Sequence, residues 1–287
     1  MAFDTTRLVE QVTITGCLPT GRFSNDELME MAYNVMLSEM VPLIIGVREE
    51  YYVRSYDEAL AAGQGAYLIV SRAIGGTLRE AKMIVGNDII DLTRKDLEEI
   101  TSVRTGTPEG FYLQGNEVIL DPAPAAASGS LRQFYFIRPS RFVAPTSCAQ
   151  ISAIDRGTNT ISATLPSAWT TADSFDLVRG KAHHDILSTD LAASGVGSGQ
   201  ITFTSSLPAS LAVGDWVCLA EQTCFPFLPL EGHAALVQAT AAAALESIGH
   251  PNAERTAAKA NVLKENLKSI LAVRVQGAPK RLAARVL

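Results

Sequence analysis

Residues 161–175, Ile-Ser-Ala-Thr-Leu-Pro-Ser-Ala-Trp-Thr-Thr-Ala-Asp-Ser-Phe, recur in outline as residues 203–217, Phe-Thr-Ser-Ser-Leu-Pro-Ala-Ser-Leu-Ala-Val-Gly-Asp-Trp-Val. Ile161, Leu165, Pro166, Trp169, Asp173 and Phe175 align with Phe203, Leu207, Pro208, Leu211, Asp215 and Val217 at a constant offset. Each copy reads as a strand, a Leu-Pro turn and a second strand, the pattern of a duplicated β-hairpin unit in a small barrel or sandwich. A strand, a proline and an aspartate also recur by chance in β proteins, and on either reading the segment is β. Asp173 and Asp215 each precede a strand and are expected to hold turns rather than a metal.

Upstream, short β-prone runs separated by turn signals cover 51–56, 66–70, 78–85, 111–114, 117–120 and 131–138. In the last of these, Arg132, Phe134 and Phe136 share one face, and Leu131, Gln133, Tyr135 and Ile137 share the other. Thr93 to Ile100 reads as a short helix. Further upstream, Ser24-Asn25-Asp26-Glu27 is a capping box that starts a helix, flanked by Phe23 and Leu28 as a hydrophobic staple. Leu28, Met31, Val35 and Met36 continue its apolar stripe, and Pro42 is expected to kink or break it near Val41, with a second helix to about Glu50.

Downstream of Pro229 the chain is again helical, with Leu236, Val237, Thr240, Ala244, Leu245 and Ile248 on one side of an alanine-rich segment. Gly249-His250-Pro251 ends it, and Asn252 is expected to cap a helix carrying Leu263, Leu267, Ile270 and Leu271.

The sequence thus predicts an α+β fold: a discontinuous helical bundle from the N- and C-terminal segments (1–50 with 229–275), with a large β-rich, barrel or sandwich-like insertion. Within the insertion, 51–138 is β-rich with one short helix and 139–228 carries the repeat. The bundle is expected to survive excision of Pro139 to Pro226. Residues 276–287 form an extended basic arm.

The chain has 287 residues, 47% of them hydrophobic and 19% charged, enough for a sizeable core. A net charge of −6 argues against a global basic field for nucleic acid or anionic membranes. No segment reads as a secretory signal or a membrane span, which suggests a soluble, intracellular chain. Cys17, Cys148, Cys218 and Cys224 are scattered without zinc-site spacing and are expected to be buried free thiols.

The glycines at 63–65 and 195–199 lack the strand-to-helix context of a phosphate loop and are read as turns. His183-His184-Asp185 is the most ligand-like cluster, but neighbouring strand residues point to opposite faces, so a solvated loop is preferred. His233 and His250 are explained by capping or surface exposure. No nucleophile elbow or cysteine–histidine signature stands out, so no catalytic, cofactor or metal residue is nominated and no enzyme activity is expected.

Charge is segregated along the chain. Asp26, Glu27, Glu30 and Glu39 give an acidic helical surface near the N-terminus. The C-terminal arm combines Arg274, Lys280, Arg281 and Arg285 with apolar Leu282, Val286 and Leu287, a set suited to docking on an acidic, grooved partner.

Several motifs together resemble a known family. They are Leu18-Pro19-Thr20 with the capped Phe23-Ser24 helix, Val41-Pro42-Leu43, Arg48-Glu49-Glu50-Tyr51-Tyr52 and Ser71-Arg72-Ala73-Ile74-Gly75-Gly76. Tyr112-Leu113-Gln114-Gly115-Asn116, Leu120-Asp121-Pro122 and Tyr135-Phe136-Ile137-Arg138-Pro139-Ser140 continue the series. Near the C-terminus, Ser247-Ile248-Gly249, Arg274-Val275 and Pro279-Lys280 complete it, with His250 where the family pattern has an acidic residue. The chain is similar over most of its length to the head-to-tail adaptor, or connector, proteins of tailed, short-tailed bacteriophages.

The resemblance implies a virion neck protein made in the host cytoplasm: a homo-oligomeric ring, a dodecamer, that binds the portal protein and tail or nozzle proteins. Genomic DNA would pass through its lumen without sequence-specific binding, and no cofactor or membrane is implied. The arm 274–287 would be the portal-docking element. A competing reading is a tail-associated receptor- or carbohydrate-binding protein, with exposed Trp169 and Trp216 stacking on sugars. A third, a tail hydrolase, would need convergent ionisable groups that the sequence does not nominate.

Overall fold

The computed structural model describes residues 3–99, 104–180 and 185–272. The protein is a mixed α/β molecule organised as two compact units: Met1–Arg48 with Pro139–Leu287, and Glu49–Arg138. The boundary therefore falls at Arg138, and the repeat-bearing segment shares a unit with the helices. Excision of Pro139 to Pro226, expected to spare the helices, would remove the barrel with its own core.

Helix α1 (Thr5–Gly16) is capped by Asp4, whose carboxylate accepts from the Arg7 N–H at 2.9 Å. The sequence reading missed α1, although Asp4 followed by Leu8, Val9 and Val12 carries both a cap and an apolar stripe. Helix α2 (Asn25–Val35) begins at the expected capping box. No break follows at Val41. Met36–Met40 forms a π-helical turn in which the Val41 N–H reaches the Met36 carbonyl, and α3 (Val41–Val47) continues directly. Pro42 has no N–H and would crowd the carbonyl four residues back; the wider turn absorbs both problems without ending the helix. The resulting helix, Asn25–Val47, is long and apolar enough by length and composition to cross a membrane, contrary to the sequence expectation. Leu28, Met29, Ala32, Val35, Met36, Met40, Val41 and Ile44 along it are buried in the protein.

Helix α4 (His233–Ser247) is apolar on all sides rather than on one, and residues 235–242 are buried without interruption. It packs against α1, α2 and α5 (Ala253–Leu271). The approach to α1 is close: a Cβ on Gly16 would stand 3.5 Å from the Ala241 Cβ. Gly249 (φ +63°) terminates α4, with its N–H donating to Glu246 O and the His250 N–H to Leu245 O, a Schellman end. Asn252 makes no side-chain cap; instead its N–H donates to His250 Nδ1 at 3.2 Å.

The unit 49–138 contains strands β1 (Val53–Ala59), β2 (Ala66–Leu68), β3 (Ala73–Val85), β4 (Asp88–Asp91), β5 (Thr93–Arg94), β6 (Thr105–Gly106), β7 (Gly110–Gln114), β8 (Glu117–Asp121), β9 (Ala123–Pro124) and β10 (Ser130–Ile137). They form sheets of order β1-β10-β3-β4 and β2-β8-β7-β5, with β6-β9 as a pair. Strand β10 alternates as expected, burying Leu131, Gln133, Tyr135 and Ile137. Buried Gln133 pins the two sheets: its Nε2 donates to Leu68 O at 2.9 Å and its Oε1 accepts from the Val70 N–H at 3.4 Å. The helix expected over Thr93–Ile100 is replaced by β5, which pairs in parallel with β7, and a single 3-10 turn at Leu97–Glu99; Ile100 lies outside the described residues. Strand pairing outweighs the local helix preference of Lys-Asp-Leu-Glu-Glu.

The second unit's strands are β11 (Arg141–Phe142), β12 (Ala149–Asp155), β13 (Thr160–Ala163), β14 (Ser174–Val178), β15 (Ile186–Gly197), β16 (Gln200–Phe203), β17 (Trp216–Leu219) and β18 (Gln222–Thr223). Six of them close a barrel, β12-β13-β16-β15-β14-β17. Exchanging β12, β13 and β14 for β15, β16 and β17 leaves this cyclic order unchanged, so the barrel has a pseudo-two-fold arrangement. The register follows the same offset: Ala149 pairs with Val217, and the equivalent Leu191 pairs with Phe175. Thr160 and Thr202 are equivalent positions and pair with each other, their hydroxyls 3.0 Å apart. The turns match too. Trp169 N–H donates to Pro166 O as Leu211 N–H does to Pro208 O, and Asp173 and Asp215 accept from Thr170 N–H (2.7 Å) and Ala212 N–H (2.8 Å). Ile161, Trp169, Phe175, Leu177, Ile201, Phe203, Leu211 and Val217 fill the barrel.

The two clamping aspartates differ in burial, which separates their energetics. Asp215 is 3% exposed and also accepts from the Gly180 N–H at 3.1 Å. Asp215→Ala should therefore cost about 2–3 kcal/mol, since it strands the buried Gly180 N–H and removes the part-buried bond from the Ala212 N–H. Asp173→Ala, at an exposed turn, should cost about 0.5–1 kcal/mol. Urea melts of the two variants give the comparison.

Candidate functional site: an acidic helix and a buried thiol triad

Three of the four residues expected to form the acidic helical surface are engaged within the chain. Glu27 closes the capping box: its carboxylate accepts from the Ser24 N–H at 2.7 Å and the Ser24 hydroxyl at 3.0 Å. The Ser24 backbone bond, then the hydroxyl, hold the Glu27 carboxyl below its ordinary pKa. Glu30 pairs with Arg141 at 2.8 Å, tying α2 to β11. Glu39, on the π-helical turn, pairs with Lys264 of α5. Asp26 is exposed and lines, with Met29, Glu30, Arg141, Phe142 and Gln222, an open cleft of about 280 Å³. The surface is thus less negative than a count of carboxylates implies, because Glu30 and Glu39 each face a cation.

The expected docking residues Arg274, Lys280, Arg281, Leu282, Arg285, Val286 and Leu287 lie outside the described residues, as do His183 and His184. His233, for which capping or surface exposure was expected, is buried, with its ring stacked on Phe3 at 4.3 Å between centroids. Trp169 is buried in the barrel edge-on to Phe175, and Trp216 is half-buried against Phe225 with centroids 5.7 Å apart. Asp176, at the position equivalent to Cys218, is fully buried and accepts from the Asp190 and Glu221 N–H groups. It too is a structural clamp.

The cysteines depart most from the sequence reading. Cys17 is exposed, in the left-handed position that ends α1. The other three converge. Cys148 follows a 3-10 turn at Pro145–Ser147, Cys218 lies in β17 and Cys224 follows β18. The Ala149–Val217 pairing brings Cys148 beside Cys218 across the ladder, and β18 turns Cys224 back onto both. The three sulfurs lie within 4.8 Å of one another, and all three residues are buried. Val143, Val178, Trp216 and Phe225 pack around them. Hydrogen bonds from Cys218 and then Cys224 hold the Cys148 thiol down to about 5, whereas burial pushes Cys218 and Cys224 up. Short-spacing motifs cannot reveal this cluster; only the strand register does.

The capping box gives a pH-resolved test. A carboxyl with a lowered folded pKa contributes stability that is present above its unfolded value, about 4.3, and is lost as pH falls through the folded one. Ser24→Ala should lower Tm by about 3 °C at pH 7, and its gap to the wild type should narrow below about pH 4. Thermal melts from pH 7 to pH 3 measure both. No protein-family profile matches this chain, and no curated protein sequence matches it.

Proposed function

We propose that the chain is a non-catalytic structural subunit that assembles with copies of itself into a head-to-tail adaptor ring, joining a phage portal to tail or nozzle proteins in the virion neck. The observation that carries the assembly reading is that four of the large apolar side chains exposed in the unit 49–138 lie on sheet edges, while Val85 on the central β3 and Leu97 on a 3-10 turn lie elsewhere. Tyr56 lies on β1, Leu68 on β2, and Ile89 and Ile90 on β4, at 48%, 65%, 57% and 39% exposure. All three strands are sheet edges. An edge strand carrying exposed apolar side chains invites pairing with another chain, a hazard that monomeric proteins suppress. A ring subunit uses such edges, and closed rings follow when each copy offers complementary surfaces head to tail.

The finer description of the fold belongs to the same proposal. The packing of α4 on α1 and α2 supports a discontinuous bundle formed by both ends of the chain, which would give the ring its wall. Twelve copies, a lumen that passes DNA and portal docking by Arg274–Leu287 follow from the resemblance to adaptor proteins. The carbohydrate-binding alternative loses support because Trp169 is buried against Phe175 and Trp216 is half-buried against Phe225.

Replacing Ile89 and Ile90 together by lysine should leave circular dichroism unchanged and shift the full chain towards smaller species in sedimentation velocity. Undiminished assembly would remove these edges from the interface. Truncation after Gln276 should spare folding but weaken attachment to portal rings. The charged share of that loss should shrink as salt rises past about 0.1 M, and the apolar share should persist. Undiminished portal binding by the truncated chain would remove the docking role.

A further inference from the structure

The thiol triad carries chemistry that an adaptor ring does not require. We propose that Cys148, Cys218 and Cys224 form a binding site for one thiophilic d10 cation, of the class of Zn²⁺, Cd²⁺ or Cu⁺, held by three sulfurs.

The geometry supplies the ligand set. Metal–sulfur bonds of about 2.3 Å place coordinated sulfurs about 3.8–4.0 Å apart. The three sulfurs already lie within 4.8 Å of one another, so the triangle needs little closing. Among the described residues the cluster holds three thiols and no carboxylate or imidazole, a set that selects soft ions over Mg²⁺ or Ca²⁺, which need oxygen donors. The apolar shell of Val143, Val178, Trp216 and Phe225 favours the metal–thiolate bond over hydration of its parts. Each bond formed replaces an S–H bond and sends a proton to solvent. The ion stabilises each thiolate as it forms, so the thiols give up their protons on binding.

The position gives the site a structural consequence. Cys148 leads into β12 and Cys218 belongs to β17, while the Cys224 carbonyl accepts from the Thr5 N–H at 2.9 Å, at the start of α1. A bound ion would staple the barrel to the anchor of the N-terminal helix within one unit. The stabilisation adds directly to folding because the unfolded chain has no preformed site.

The test uses the full chain, purified under a non-thiol reductant and freed of metal. Titration with Cd²⁺ should produce the ultraviolet sulfur-to-cadmium charge-transfer band, saturating at about one ion per chain. Parallel arms with Zn²⁺, by elemental analysis, and Cu⁺, supplied as a thiol complex, identify the preferred ion. Tm should rise with the bound ion in the wild type and in Cys17→Ser, and not in Cys148→Ser or Cys224→Ser. Because those variants could fail to fold, alkylation of the wild type gives a second reading. Cd²⁺ should protect the three buried thiols after partial denaturation, while Cys17 reacts throughout. Absence of the band in folded wild type, ion uptake that survives Cys148→Ser, or a disulfide within the triad with no uptake after reduction would each overturn the proposal.

Discussion

Helix α4 has no face that can be given to solvent. Over 235–242 every residue is buried, although the helix is built mainly from alanine, whose small side chains make a poor core by themselves. An apolar-all-round helix is stable only when other elements enclose it. Here α1 and α2 come from the first part of the chain and α5 from the last, and all three pack on α4. Close approach compensates for the small side chains: Gly16 lies against Ala241, and the wide turn at Met36–Met40 lets one long helix pass Pro42 without breaking. The barrel shares the helices' unit, tied by Thr5 to Val143 and Cys224 and by Glu30 to Arg141.

What could be read from the sequence was local or periodic. The capping box at Ser24, the Gly249 helix end, the alternation of Leu131–Ile137 and the repeated Leu-Pro turn depend on neighbours within a few residues, and their chemistry is written at those positions. The 42-residue offset predicted a duplicated β unit, and the barrel's pairing follows that offset rung by rung between Ala149–Val217 and Leu191–Phe175. What could not be read depended on distant partners. Lys-Asp-Leu-Glu-Glu looks helical until β7 captures Thr93 and Arg94. The one-sided stripe assigned to α4 underestimated it because, of its alanines, only Ala244 was counted, whereas Ala235, Ala239, Ala241 and Ala242 are buried too. The three cysteines look scattered because a ladder register, not a motif, brings them together.

The same distinction applies to function. Glu27, Asp173 and Asp215 hold a cap or turns, and Glu30 and Glu39 hold elements together, which is structural work for most of the carboxylates that sequence reading had weighed. Apolar edge strands in one unit and a buried thiol triad in the other are the features left over. The first suits contact with further copies, and the second suits a soft cation that would tie Cys148, Cys218 and Cys224 together.

The most direct test of the proposed ring is electron microscopy of the purified full chain, alone and mixed with the portal protein from the same genome. The account predicts closed rings of one stoichiometry that seat coaxially on the portal. Particles of single chains of 30.6 kDa at every concentration, with no density added to the portal, would contradict it.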